Sequence, residues 1–104
     1  HHLCIAYLDD EAVGFVSGVE ITHPDKGTEM LLYELGVDDE FRRRGIGRAL
    51  AIALRDQSRA RGCSGLWVPV DEDNQPALSM YRSAGPDEDA PSRIVWWDLS
   101  GDET

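Results

Sequence analysis

Arg42-Arg43-Arg44-Gly45-Ile46-Gly47 is the segment of this chain best suited to chemistry. Its two glycines let the backbone come close to a ligand with no Cβ in the way. The residues that follow read as a helix, whose first turn offers unpaired N–H groups and the positive end of a dipole. Phosphate or pyrophosphate is the ligand such a place binds. Three adjacent arginines add positive charge within a chain whose 20 acids and 10 Lys and Arg leave a net charge of −10. The same residues also describe a plain basic, solvated helix start, and the segment alone favours neither reading. The spacing is not that of a Walker loop, nor the GxGxxG of dinucleotide-binding folds.

The elements on either side must position this segment. Leu3–Leu8, the polar turn Asp9-Asp10-Glu11 and Val13–Ile21 read as a β-hairpin. His23–Gly27 has strong turn chemistry. Glu29–Val37 reads as a third strand, apolar enough for burial on both faces and so central. Ile46, Leu50, Ala53, Leu54 and Ala60 recur at helical spacing. Gly62, after Arg59 and Arg61, closes that helix, which runs from about Gly47 to Arg61.

Leu66–Val70 is a fourth strand, interrupted by Pro69. Asp71–Asn74 is an acidic loop able to cap the next helix, and Pro76 suits a first helical position. Ala77, Met80, Tyr81 and Ala84 then make a short amphipathic stripe closed by Gly85. Arg93–Leu99 reads as a last strand, with one ring of the Trp96-Trp97 pair in the core and the other at an interface or a site. The order is β-β-β-α-β-α-β. It predicts a mixed α/β sheet flanked by helices, with an antiparallel opening hairpin and a parallel crossover.

A length of 104 residues predicts a single domain over 1–104, and 41% hydrophobic residues suit a globular fold. No apolar run approaches the roughly 20 residues that span a bilayer, and no signal-peptide pattern is present. We therefore expect no membrane association. His1 and His2 read as a tag remnant and are left out of site reasoning. The acidic balance argues against nucleic acid as a partner and suits a cationic small molecule, although solubility alone also explains it. Asp87, Glu88, Asp89, Asp102 and Glu103 read as solvated. Cys4 and Cys63 form no metal motif and read as small buried hydrophobes in a reduced, cytoplasmic protein. No metal is implied.

Two motifs give a specific likeness. Arg42-x-x-Gly45-x-Gly47, after a strand ending Leu35-Gly36-Val37 and before a helix, resembles the acetyl-CoA motif of the GNAT superfamily of N-acetyltransferases. Asn74-x-x-Ala77-x-x-Met80-Tyr81-x-x-x-Gly85 is similar to that superfamily's second signature. The likeness covers about Glu29 to Gly85. It implies that backbone N–H groups of Arg43, Arg44, Gly45, Ile46, Gly47 and Arg48 cradle the CoA pyrophosphate. Leu35, Gly36 and Val37 would pair with the pantetheine arm, between strands that splay to admit it. Asn74 would contact that arm, and Tyr81 would return a proton to the leaving thiolate.

Within the superfamily, LLYELGVDDEFRRRGIGRAL is similar to the aminoglycoside 3-N-acetyltransferases, as is the stretch through Trp67-Val68 and Pro76-Ala77 to Tyr81. In that comparison Asp71 falls on an acidic residue associated with the substrate amine. Asp71 is the first candidate base and Glu34 the second.

The sequence departs from the family in three places. The chain starts at or near the opening hairpin, without the family's usual strand and two helices ahead of it, so we expect a fragment, a truncated form or a short member completed as a homodimer. Pro86 follows Gly85 where an aromatic is common, and the acidic loop Asp87–Asp89 has no assigned role. Two rival readings stand beside the enzyme: a CoA-binding module without turnover, and a structural domain without ligand.

Overall fold

Three strands form an antiparallel meander: β1 (His2–Leu8), β2 (Glu11–His23) and β3 (Gly27–Val37). A fourth, β4 (Gly65–Trp67), joins β3 in parallel, so the sheet order is β1-β2-β3-β4. The computed structural model describes residues 1–101; Asp102 and Glu103 lie outside them. Asp9 and Asp10 make the first turn, with φ of 49° and 70°. Two consecutive left-handed residues match the right-handed twist of a tight hairpin, and Asp tolerates them.

Between β3 and β4 runs α1 (Ile46–Ala60), the crossover helix. It lies on one face of the sheet, and Val16, Met30, Leu32, Leu50, Ala51 and Leu54 form the core between them. The close approach explains Gly18, where a Cβ would stand 2.9 Å from the Met30 sulfur and 3.0 Å from a Leu54 methyl. The expected inward set on the helix needs correcting. Ala53 and Ala60 are exposed, and Ala51 and Ser58 are buried instead. Ser58 fits the apolar side because its hydroxyl donates to the Leu54 carbonyl at 2.7 Å, so it carries no unpaired polar group inward.

Helix α2 (Gln75–Ser83) packs beside α1, and Met80, Tyr81 and Ala84 meet the core as their spacing predicts. The Asn74 side chain accepts the Ala77 N–H at 3.2 Å and caps this helix. Both helices sit on the same face. The expectation that β3 is buried on both faces is therefore half right: Met30 and Leu32 are buried, but Tyr33 and Glu34 are exposed.

Two further expectations are overturned. Strand β4 stops at Trp67 rather than Val70, because Pro69 has no N–H to continue a ladder. The stretch Arg93–Leu99 forms no strand. An edge only three residues long gives it little to pair with, and strand propensity needs a partner. Trp96 and Trp97 are both exposed, so neither ring enters the core. Loop 86–90 is less idle than expected, since Arg82 donates to the Asp89 carboxylate and holds the loop to α2. His2, left out of site reasoning, takes part in the fold. It lies in β1 and bonds both Glu20 of β2 and Gln57 of α1. Arg61 and His2 together hold the Glu20 carboxyl below its ordinary range.

Candidate cofactor and active site

The strand that precedes the glycine segment ends with one side open. Ladder pairing of β3 with β4 runs only from Glu29↔Gly65 to Leu31↔Trp67, whereas pairing with β2 continues to Val37↔Gly14. From Leu32 to Val37 the β4 side of β3 thus has no strand partner. An extended ligand can use those backbone groups as an added strand does. Leu35, Gly36 and Val37 all lie in this open stretch and are half-buried. The Val37 carbonyl already accepts a bond of 3.4 Å from the Arg42 guanidinium, which also pairs with Asp39 at 3.1 Å. Arg42 is a brace for the turn rather than free charge.

After a short 3₁₀ turn (Asp39–Phe41), the chain enters α1 through two left-handed residues, Arg43 with φ 66° and Gly45 with φ 79°. A left-handed arginine costs of order 1–2 kcal/mol, and such strain persists mainly where the surroundings impose it. Turns of this kind aim successive N–H groups into one concavity and bind anions. Gly45 caps α1 with no side-chain hydrogen bond, so no side chain covers the first N–H groups. A Cβ on Gly45 would meet nothing within 4 Å, so the space before the helix end is open. The structure starts α1 at Ile46 rather than Gly47, which puts Ile46, Gly47 and Arg48 inside the first turn.

Each side chain there has its own task. Ile46 packs on the core. Gly47 faces Met80 and Leu35, where a Cβ would make ordinary contacts of 3.4 to 3.6 Å. Arg48 donates to the Ser83 carbonyl at 2.8 Å and ties α1 to the last turn of α2. The Arg44 guanidinium stacks 5.2 Å from the Phe41 ring centre. Among the described residues Arg43 makes neither ion pair nor side-chain hydrogen bond.

Tyr81 is the acid candidate that the fold places best. It is half-buried against the core, and burial pushes its phenol above the ordinary value. It therefore keeps its proton through neutral and mildly alkaline pH. Tyr81 also lines a cavity of about 630 Å³ between α1, β4 and the end of α2, together with Leu32, Leu66, Val68 and Ala84. Neither base candidate lines that cavity. Asp71 is exposed and its carbonyl accepts the Asn74 N–H at 2.9 Å, so it belongs to the turn that leads into α2. Glu34 is exposed on the opposite face of the sheet.

One residue escaped sequence reasoning. Ser17 lies directly across from Glu34, and its hydroxyl oxygen is buried without a partner. The signal was weak because a register shift between Ser17 and Gly18 decides which residues face each other. The cysteines make no such site. Both are half-buried and unbonded to each other, and burial pushes the Cys63 thiol up. Among the described residues no cluster able to hold a metal exists, and no helix is long and apolar enough to cross a membrane.

A parallel β-α-β crossover, a left-handed turn at its helix start and a strand edge left open beside it suit a phosphate-bearing ligand with an extended arm. The acetyltransferase (GNAT) family model matches residues 1–85, and the chain belongs to that family. It is 36% identical over 75 residues to a ribosomal protein bS18-alanine N-acetyltransferase of Salmonella typhimurium, covering 72% of this chain and 51% of the relative. The counterpart in Escherichia coli K12 is 39% identical over 57 residues, or 55% of this chain and 38% of the relative. The chain thus spans about half, or less, of those relatives.

Among solved structures, an aminoglycoside acetyltransferase from an uncultured soil metagenomic sample superposes with a TM-score of 0.88 at 24% identity, covering 94% of this chain and 65% of that one. A second soil-metagenome aminoglycoside acetyltransferase gives 0.77 at 27% identity, with 92% and 65% covered.

Proposed function

We propose that this chain binds acetyl-CoA and transfers its acetyl group to a primary amine. The observation that carries this reading is the open β4 side of Leu32–Val37 lying next to the left-handed turn Arg43–Gly45. The open edge suits the amide-bearing pantetheine arm, and the turn and helix end suit its pyrophosphate. Asn74 spends its side-chain oxygen on capping α2, which leaves its NH₂ group for the arm.

The amine nitrogen attacks the thioester carbonyl carbon while a carboxylate, Asp71 or Glu34, accepts its proton, directly or through water. The carbon–sulfur bond then breaks, and the thiolate takes its proton from the Tyr81 hydroxyl. Holding both reactants on one rigid sheet removes much of the entropic barrier. A backbone N–H near Leu35 to Val37 stabilises the charge that develops on the carbonyl oxygen. The setting would be the cytoplasm.

For the acceptor we favour an aminoglycoside amine, the 3-N position first. The acidic chain and the likeness to aminoglycoside acetyltransferases support it. A second reading is the α-amine of a polypeptide that starts with alanine, supported by the higher identity to the bS18-alanine enzymes. Thiol release from acetyl-CoA, followed with each acceptor in turn, separates the two. Release with aminoglycosides and a new amide at the 3-amine is the expected outcome. Release only with the alanine-starting peptide selects the second acceptor. Acetyl-CoA binding without release for any amine leaves a CoA-binding module and rejects the enzyme.

A further inference from the structure

We infer that, with acetyl-CoA as the donor proposed above, the Arg43 guanidinium takes the 3′-phosphate on the ribose of that molecule, so that the chain distinguishes acetyl-CoA from its 3′-dephospho form. Acetyl-CoA carries two kinds of phosphate. The pyrophosphate is a diester whose two groups are singly charged. The 3′-phosphate is a monoester, with a charge of about −1.5 to −2 at neutral pH and three terminal oxygens. The two suit different partners. Backbone N–H groups suit the first, and the start of α1 has no side-chain cap to cover them. A guanidinium suits the second, because its planar fork meets two oxygens of one phosphate at once.

Four arginines stand in or beside the turn, and three of them are engaged. Arg42 pairs with Asp39 at 3.1 Å and donates to the Val37 carbonyl at 3.4 Å. Arg44 lies over the Phe41 ring, 5.2 Å from its centre. Arg48 donates to the Ser83 carbonyl at 2.8 Å. Arg43 is exposed, and among the described residues it has neither carboxylate, ring nor carbonyl as a side-chain partner. Its backbone adds a second reason. At φ 66° glycine would form the turn more cheaply than arginine, so the turn itself gives no reason for an arginine there.

Electrostatics make such a partner necessary. A chain of net charge −10 repels an anion unless positive charge stands close to it. Seven of the ten Lys and Arg lie between Arg42 and Arg61, with Asp56 the one acid among them. Toward the far end of α1 that charge is answered within the chain. Arg55 and Arg59 face Asp56 at 3.2 and 3.6 Å, and Arg61 bonds Glu20 at 2.7 Å. At the near end Arg43 has no such answer.

Calorimetric titration with acetyl-CoA and with acetyl-3′-dephospho-CoA, on wild type, Arg43→Gln and Arg44→Gln, tests this. Wild type should bind acetyl-CoA about tenfold tighter than the dephospho form, the worth of one charge-assisted pair at an exposed site. Arg43→Gln should bind both alike, at the wild-type affinity for the dephospho form. Arg44→Gln, which leaves the backbone N–H in place, should keep the preference. Arg43→Gln should also keep the wild-type thermal midpoint. If it fails to fold, Arg43→Gly decides, since glycine enters the left-handed region freely. Equal affinity of wild type for the two ligands overturns the inference and leaves acetyl-CoA as the donor. A preference that survives in folded Arg43→Gln, or that Arg44→Gln removes instead, overturns it as well. A folded wild type that binds neither ligand overturns the donor reading and this inference with it.

Discussion

Tyr81→Phe should lower kcat by about 10²–10⁴-fold, the usual worth of a positioned general acid, with little change in acetyl-CoA affinity. Phenylalanine keeps the ring that packs against the core and removes the hydroxyl. The pH dependence gives a second readout. Burial raises the Tyr81 phenol, so the protonated acid persists as pH climbs past the ordinary thiol range. Any alkaline fall in rate that comes from this group must lie above the usual phenol value of about 10. Steady-state rates across pH, on wild type and variant, check both points. An unchanged kcat would remove Tyr81 from the chemistry and make its hydroxyl a rim feature.

Leu54→Ala should cost about 2–5 kcal/mol of folding stability. Leu54 is fully buried at the centre of the α1–sheet contact, between the β2 and β3 residues Val16, Met30 and Leu32. A small domain holds only about 5–15 kcal/mol in all, so this one truncation can leave the chain partly unfolded at ordinary temperature. Ala53→Ser, one residue away on the exposed side of α1, should fall within about 0.5 kcal/mol of wild type. Urea midpoints for the pair measure the contrast. Equal midpoints would mean that α1 does not seat on the sheet through the 50, 51, 54, 58 stripe.

The sequence was most informative where local chemistry sets structure. Hydrophobic periodicity found both helices and the first three strands. Asn74 and Pro76 marked the start of α2 within a residue, and the start of α1 was placed one residue late, at Gly47. These signals act over three or four residues and owe nothing to the rest of the fold.

What failed depended on distant partners. The inward face of α1 was misread at Ala53 and Ala60 because alanine fits either side, and at Ser58 because its backbone bond to Leu54 is invisible in a hydrophobicity pattern. Strand Arg93–Leu99 had the right composition, but β4 ends before Pro69 and offers too short an edge. Site roles divided in the same way. The glycine turn that opens α1 is local and was legible as a turn. The choice between Asp71 and Glu34 depends on what stands across a sheet, and the register shift that brings Ser17 opposite Glu34 has no sequence signature.

Calorimetric titration with acetyl-CoA, repeated on Gly45→Glu, tests the central claim most directly. Gly45 is left-handed and faces open space at the helix start. A glutamate there sets a negative charge where the pyrophosphate should lie. Gly45→Asn controls for backbone strain, because asparagine accepts the left-handed region without charge. The account predicts saturable binding by wild type, retained in good part by Gly45→Asn. For a folded Gly45→Glu it predicts a loss of about a hundredfold or more, two or more charge-assisted hydrogen bonds being at stake. Equal affinity in wild type and Gly45→Glu, or no binding by a folded wild type, would contradict it.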